Sequence, residues 1–296
     1  MGSKIFQLRA IWYTLSAVMV ATSVVLILVF GLRLGIDFTG GSLLQIRYTT
    51  TPPDAATIST QLASLNLGEV LVEPSGTDTV IIKTRFVSDN ERVAIKSALG
   101  DAAVEESFES IGPTIGQELR TKAISAILLV VVAIILYITW AFRSVSKGPV
   151  PAWAYGVSAV IALVHDIAIP LGVFALLGHF YGIEINVMFI TALLTVLGFS
   201  VHDTIVVFDR IRENLRRSNR STFAGVIEES VDQTLMRSLN TSMTVIIVLG
   251  VLCLFGGESI RYFVLALLIG IAVGTYSSIC VASPLLLLWQ KILRKR

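Results

Sequence analysis

Six apolar segments, each long enough to cross a lipid bilayer, decide what this chain can fold into. No charged residue appears from Ala10 to Leu32, and about 20 apolar residues suffice for a helix to cross a hydrocarbon core of roughly 30 Å. Five similar segments follow, namely Ala123–Phe142, Trp153–Leu177, Asn186–Phe208, Ser238–Phe255 and Tyr262–Trp289. With 54% apolar residues, 15% charged residues and a mean hydropathy of +0.78, the chain has the composition of a polytopic membrane protein.

Lysine and arginine residues flank alternate ends of these segments, which predicts the orientation of the chain. Lys4 and Arg9 precede the first segment, and Arg143 and Lys147 follow the second. Further basic residues cluster after the fourth and sixth segments: Arg210, Arg212, Arg216, Arg217, Arg220, Lys291, Arg294, Lys295 and Arg296. The positive-inside rule then places both termini in the cytosol. Because this rule explains the arginine cluster and the net charge is only +2, we expect no nucleic-acid partner.

The chain divides into three parts. Residues 1–34 hold the cytosolic N-terminus and a first membrane helix, which we interpret as retained because its apolar run exceeds the roughly 7–15 residues of a signal peptide. Residues 35–121 form the one long polar segment, predicted to lie on the outer, periplasmic side. Residues 122–296 form a bundle of five membrane helices. Its cytosolic loop, residues 209–237, carries an interrupted apolar stripe that predicts two short helices along the membrane surface.

The polar segment alternates between strand and helix periodicity. Leu44, Ile46 and Tyr48 share one face of a strand. Ser88 and Glu91 are spaced as a capping box that opens a helix. The predicted elements are strand Ser42–Tyr48, helix Asp54–Leu65, strands Glu69–Glu73 and Thr79–Arg85, helix Ser88–Leu99 and strand Val104–Phe108. This βαββαβ order predicts a ferredoxin-like α+β domain.

Asp203 is the first candidate functional residue, because it stands inside the fourth membrane segment with His202 beside it. A carboxylate at the centre of a membrane helix costs about 2.5–3.5 kcal/mol, so such residues usually face a partner or a water-filled path. The alternative is a snorkelling or helix-pairing residue near the cytosolic edge. Position alone does not separate the two interpretations.

Arg237 begins the fifth membrane segment and offers a partner for Asp203. Thr241 and Thr244 continue its face at helical spacing, and Asn240 lies between them, so a polar stripe enters the bilayer from Arg237. An arginine stays charged, whereas a desolvated aspartate can take up a proton unless the arginine holds it ionised. The pair can therefore be a proton-dependent switch or a static salt bridge.

Two other features of the membrane segments are candidates. His165 and Asp166 form a second polar pair, for which a hydrogen-bonded helix contact is the default interpretation. A metal site would join them to His202 and Asp203, but no ligand spacing such as HExxH supports it, and we expect neither a metal nor a cofactor. Small residues at every fourth position of the sixth segment predict a surface for close helix packing: Gly270, Gly274 and Ser278.

Four motifs give the chain a family resemblance. They are GIDFTGG at 35–41, SIGPTIGQEL at 110–119, SVHDTIVVFDRIREN at 200–214 and TLMRSLNTS at 234–242. In this order and topology they resemble the SecF family, the smaller subunits of the SecD–SecF protein-export complex within the resistance-nodulation-division superfamily. The resemblance covers nearly the whole chain. It implies six membrane helices, an outer ferredoxin-like domain, and Asp203 with Arg237 as proton-relay residues.

The resemblance also implies a function and partners. The chain would be an auxiliary, non-enzymatic subunit of the bacterial inner membrane that uses the proton gradient to promote export and release of preproteins. Its partners would be SecD, the SecYEG translocon, other accessory Sec subunits and the exported preproteins. His202 departs from the family pattern, in which asparagine is expected, and can itself titrate. The alternative is half of a small-molecule or lipid exporter of the same superfamily.

The predicted topology can be tested by cysteine labelling. A membrane-impermeant thiol reagent applied from the outer face should label a cysteine placed at Thr77, in the outer domain. It should not label one placed at Ser218, which the charge pattern assigns to the cytosol. The reverse pattern would contradict the topology.

Overall fold

A computed structural model describes residues 8–143, 149–217 and 222–294 of the chain, apart from the side chain of Glu258. Several residues used above lie outside the described residues: Lys4, Lys147, Ser218, Arg220, Lys295 and Arg296. The chain divides into two compact units. One is Leu34–Ile124, and the other comprises Met1–Arg33 with Ser125–Arg296.

The described helices and strands alternate in the first part of the chain and are all helical afterwards. In chain order they are α1 Arg9–Phe30, α2 Ile36–Thr39, β1 Gly41–Tyr48, α3 Ala55–Leu62, β2 Leu71–Ser75, β3 Thr79–Thr84, α4 Asp89–Leu99, β4 Ala103–Ile111, α5 Pro113–Ala141, α6 Ala152–Tyr181, α7 Val187–Arg217, α8 Phe223–Phe255, α9 Glu258–Ser277 and α10 Ser283–Arg294. A π-helical turn, Ser278–Ala282, joins α9 to α10.

The polar unit is built on a four-stranded antiparallel sheet in the order β2-β3-β1-β4. The face of β1 predicted from its alternation is buried against α3 and α4, in a core that includes Leu44, Ile46, Tyr48, Ile58, Leu62, Ile82 and Ile95. Apolar burial of this kind contributes roughly 25 cal/mol per Å². The predicted α+β ferredoxin-like arrangement is confirmed.

The second strand lies two residues further along the chain than the sequence predicts. It covers Leu71–Ser75 instead of Glu69–Glu73, and it includes Pro74, which is paired with Val80. Proline lacks an N–H donor and is accepted in strands mainly at a sheet edge. Because β2 is the edge strand, Pro74 can lie within it, and the strand runs past the predicted end at Glu73.

The predicted capping box opens α4. Glu91 accepts a hydrogen bond from the backbone N–H of Ser88 at 2.8 Å, and the Ser88 side chain caps the helix in return. The Arg85 guanidinium also donates to Glu91, at 2.6 Å. The hydrogen bonds from Arg85 and Ser88 lower the pKa of Glu91 to about 2. The Glu91 carboxylate of the capping box therefore stays ionised at any physiological pH.

The second unit contains helices that confirm the six predicted membrane spans. Six helical stretches of the described chain are long and apolar enough to cross a membrane, the last of them running from α9 through the π turn into α10. Half of the most apolar window of α6, and of α7, is buried inside the unit, against 6% for α5 and 17% for α8. The centre of this unit is therefore α6, α7 and the last span, while α5 and α8 expose most of their surface.

The interval 209–237 differs from its prediction. The sequence predicts two separate surface helices there, but α7 continues to Arg217 and α8 begins at Phe223, so both stretches are ends of membrane helices. Their apolar residues, such as Ile211 and Ile227, are buried against one another. Asn214 adds a hydrogen bond to the Ser230 hydroxyl at 2.9 Å. The apolar stripe thus packs helix against helix.

The turn before β1 requires glycine at position 40. Gly40 has φ +74° and ψ 158°, a conformation that is essentially confined to glycine. A Cβ on Gly40 would lie 2.8 Å from the backbone Cα of Pro113, and a Cβ on Gly116 would lie 2.9 Å from the Gly40 nitrogen. This part of the polar unit is therefore held by direct backbone packing.

Gly40→Ala should destabilise the polar unit more than a substitution that only strains the backbone. Gly100 is a matched control, because it has φ 82° and ψ 174° but no atom within 4 Å of the position that a Cβ would take. Gly100→Ala should cost about 1–3 kcal/mol for the strain, and Gly40→Ala a further 1–3 kcal/mol or so for the collision. Thermal unfolding of both purified variants measures the difference, and equal losses would contradict the role of packing.

Candidate functional site

Asp166 lies at the centre of a hydrogen-bonded network inside the membrane unit. Its side chain is fully buried on α6. One carboxylate oxygen, Oδ1, faces Nδ1 of His165 at 2.9 Å. The other, Oδ2, accepts hydrogen bonds from the hydroxyls of Ser200 on α7 and Ser277 at the end of α9, the latter at 2.8 Å. Three elements of the unit therefore meet at one carboxylate.

The π-helical turn Ser278–Ala282 places further hydroxyls next to this network. The Ser283 hydroxyl donates to the Ser278 carbonyl at 3.0 Å, and the next residue, Pro284, has no N–H to continue the α-helical ladder. The Ser278 hydroxyl in turn lies 2.9 Å from the Thr204 hydroxyl of α7. Such turns are rare within α-helices and occur frequently at functional sites.

The small-residue stripe of the last span packs against α7 of the same chain. A Cβ on Gly270 would lie 2.4 Å from a methyl group of Val196, and one on Gly274 would lie 3.0 Å from the Cβ of Ser200. Ser278 continues the contact through Thr204. The predicted close approach therefore occurs inside the chain, and this stripe is not available to a second protein.

Asp203 is also buried on α7, with 4% of its surface exposed. Its Oδ1 accepts a hydrogen bond from the Ser238 hydroxyl of α8 at 3.2 Å. Its Oδ2 is buried and has no hydrogen-bond partner among the residues that the structure describes. A buried carboxylate oxygen without a donor is the arrangement that favours proton uptake.

The residues of the predicted relay lie on different faces of their helices. Arg237, Asn240, Thr241 and Thr244 are exposed on α8, and His202 is exposed on α7. Within ranges 8–143, 149–217 and 222–294, Arg237 forms no ion pair with Asp203. The buried face of α8 instead carries Ser238 and Ser242, each 1% exposed. The structure thus brings Ser238 to the acid and leaves Arg237 on the surface of this chain.

His165 is buried to 3% exposure between Asp166 and Tyr276. Its ring centroid lies 5.9 Å from that of Tyr276, whose hydroxyl is 2.9 Å from the Ser16 hydroxyl of α1. Nε2 of His165 has no hydrogen-bond partner within the described part of the chain. No group of three or more metal-ligating side chains occurs among the described residues.

The sequence analysis missed the hydroxyl residues that organise this site. Ser200 precedes Asp203 by three residues and Thr204 by four, a spacing that could have indicated a polar helix face. Ser277 had no such signal, because isolated serines are common in membrane helices and bond to their own backbone. The structure thus brings two buried carboxylates and one buried imidazole, all titratable groups, into the same unit.

Comparison with known proteins agrees with the family resemblance that the four sequence motifs indicate. Residues 92–292 match the family "Protein export membrane protein SecD/SecF, C-terminal", and residues 25–52 match "SecD/SecF GG Motif". The protein translocase subunit SecF of Thermobaculum terrenum is 43% identical over 97% of this chain and 93% of its own length. SecF of Anaerolinea thermophila is 38% identical, over 95% of this chain and 92% of its own length.

A solved structure shares the fold. The crystal structure of SecDF from Thermus thermophilus, described as a translocon-associated membrane protein, matches 97% of this chain with a TM-score of 0.83 and 32% identity. This chain spans 38% of that longer protein. Both family matches, the SecF relatives and the shared fold point the same way. This chain therefore belongs to the SecF family of protein translocase subunits.

Proposed function

We propose that this chain is the SecF half of a SecD–SecF complex of the bacterial inner membrane. In this proposal the complex uses the proton gradient to promote export and release of preproteins by the SecYEG translocon, and both termini of the chain are cytosolic. The observation that carries the proposal is Asp203, a buried acid with one unpaired oxygen in a membrane helix of a translocase subunit. An ionisable residue in that position is a candidate for proton transport.

The surroundings of Asp203 support uptake and release of a proton. The Ser238 hydroxyl can donate to the ionised carboxylate and can equally accept from the protonated acid. Arg237, the adjacent residue on α8, is close in sequence but exposed in this structure. We infer that the ionised acid pairs with Arg237 in a second state. The structure described here corresponds to the other state, in which Asp203 and Arg237 are apart.

The proton gradient supplies enough free energy to drive such a change. Moving one charge across the membrane yields about 2.3 kcal/mol per 100 mV. Since a factor of ten in an equilibrium constant requires about 1.4 kcal/mol, one proton can shift a two-state equilibrium by well over tenfold.

Two SecDF structures, one of them in a super-membrane-facing form, match 97% of this chain with 32% and 33% identity but with TM-scores of 0.83 and 0.66. Those two structures therefore differ in shape.

The exposed polar stripe of α8 supports the proposal that SecD binds to this chain. Arg237, Asn240, Thr241 and Thr244 share their surface with apolar side chains such as Met243. The two threonine hydroxyls bond to their own helix backbone, so the guanidinium is the costly group to leave facing lipid. A partner that covers this face would remove that cost, and the name SecDF of the related structure indicates SecD.

Asp203→Asn should abolish gradient-dependent export while leaving the complex assembled. Asparagine keeps the shape and the hydrogen bond to Ser238 but cannot release a proton, whereas Asp203→Glu should retain part of the function. Export into inverted membrane vesicles, with and without a gradient, measures the effect. Asp209→Asn is the matched control, because Asp209 is an exposed acid on the same helix that pairs with Arg212, and it should export normally.

A static salt bridge predicts a different pattern. It requires that Asp203→Asn weaken assembly, and that the exchange Asp203→Arg with Arg237→Asp restore export. Normal gradient-dependent export by Asp203→Asn would refute the relay.

Thr244→Trp should disrupt the complex with SecD, because a bulky ring on the interface side of α8 would prevent close helix packing. Co-purification of SecD in mild detergent should fall at least several-fold, because about 1–3 kcal/mol of association free energy is lost. Leu128→Trp on α5, where the leucine is 60% exposed, is the control and should not change co-purification. An active monomer after native extraction would contradict the need for a partner.

A further inference from the structure

The His165–Asp166 pair contains a titratable group that the relay through Asp203 does not use. Both side chains are almost fully buried near the middle of α6, at 3% and 0% exposure. Asp166 receives two hydroxyl hydrogen bonds on Oδ2, from Ser200 and Ser277. Its Oδ1 lies 2.9 Å from Nδ1 of His165.

These contacts determine which atom is open to a proton. Because both hydroxyls can donate to Oδ2, we assign the hydrogen between the pair to Nδ1 of His165, which donates it to Oδ1. A neutral imidazole with its hydrogen on Nδ1 has a free lone pair on Nε2. That nitrogen is buried and has no partner in the described chain.

The charge balance favours proton uptake at Nε2. No lysine or arginine of the described ranges forms an ion pair with Asp166, so a neutral His165 leaves one buried negative charge. A proton on Nε2 converts this charge into a neutral imidazolium–carboxylate pair. Burial of a net charge in the membrane interior is costly, and burial of a paired charge is less so.

Neighbouring titratable groups do not occupy this nitrogen. Those in the membrane segments of the helices packed against α6 are Tyr13 of α1, Tyr137 of α5, His202 and Asp203 of α7, Tyr262 and Tyr276 of α9, and Cys280 of the π turn. Tyr276 is the aromatic neighbour of His165, but its hydroxyl bonds to the Trp12 carbonyl at 3.1 Å and to the Ser16 hydroxyl. Nε2 therefore stays open to a proton within the described part of the chain.

We propose that His165 and Asp166 form a second proton-binding site, separate from Asp203, with Nε2 of His165 as the atom that takes up the proton. Uptake forms an N–H bond from the Nε2 lone pair and a proton from water, and release returns that electron pair to nitrogen. Asp166 keeps its charge throughout. The assignment of this proton to the transport cycle rests on the function proposed above.

The hydrogen bonds around Asp166 connect this site to the helix that carries Asp203. Imidazolium formation withdraws negative charge from the carboxylate and weakens its bonds to Ser200 and Ser277. Ser200 lies on α7 three residues before Asp203, and its carbonyl also accepts from the Ser278 hydroxyl at 3.3 Å. A proton at His165 thus alters contacts that hold α7 against the π turn.

Nitrogen NMR tests the binding site directly. In the SecD–SecF complex labelled with ¹⁵N-histidine, signals that disappear in His165→Gln belong to His165, one of three histidines in this chain. We expect Nδ1 to stay protonated while Nε2 changes from an unprotonated to a protonated shift as the pH is lowered through the range in which the complex stays assembled. A single neutral form of His165 across that range would overturn the proposal.

Export measurements test the role of the second proton. His165→Gln keeps an N–H donor for Asp166 but cannot carry a proton, so gradient-dependent export should fall by about tenfold or more. His179→Gln, which changes an exposed histidine that stacks on Phe30, should export normally. Normal export by His165→Gln would exclude His165 from the cycle.

The outcomes separate the two proposals. Loss of export in Asp203→Asn together with normal export in His165→Gln would refute only the second site's role. Gradient-dependent export that survives Asp203→Asn would refute the proposed function, while the NMR titration would still decide whether His165 binds a proton. If His165→Gln lowers the amount of complex, the same titration on the native protein decides the question.

Discussion

One buried carboxylate, Asp166, constrains how the membrane helices of this chain can pack. A charged group in a membrane interior must be supplied with donors, since neither lipid nor an apolar side chain can solvate it. The donors come from α6, α7 and the end of α9, so these elements have to meet at one point. The close packing of Gly274 beside Ser200 then follows, because a larger residue there would separate the helices that solvate the acid. The apolar contacts around this point are satisfied by many arrangements of helices, but the polar ones by few.

The sequence predicts the architecture well because its signals are strong and local. Uncharged runs such as Ala123–Phe142 can only be membrane helices, and the alternation around Leu44 and Ile46 can only be a half-buried strand. Errors occur where a local pattern is compatible with two structures. Pro74 indicates a turn or an edge strand, and the apolar residues around Ile211 indicate a membrane surface or a helix partner. Tertiary structure selects between them, and it is not encoded within either segment.

The candidate site is less predictable than the fold. Asp203 is recognisable because an acid inside an apolar run is rare, and Arg237 because it begins the next run. Which face of α8 meets Asp203 depends on the rotation of that helix, and periodicity alone places Ser238 and Arg237 only one residue apart. Ser277 becomes significant only when the π turn brings it to Asp166. The family match, in turn, favours a translocase subunit over an exporter half, a choice that the membrane helices alone leave open.

Because Ser238 and Arg237 are adjacent on α8, rotation of this helix about its axis would decide which of the two side chains faces Asp203. Successive residues of an α-helix are displaced by about 100° around its axis. A turn of the helix by that angle would replace a neutral hydroxyl with a permanent positive charge in front of the same acid. One helical turn further along, the same rotation would bring Thr241 to the place that Ser242 now occupies. The two protonation states of Asp203 would then correspond to two angular positions of one helix, and a proton bound at a single oxygen would rotate a helix long enough to cross the membrane.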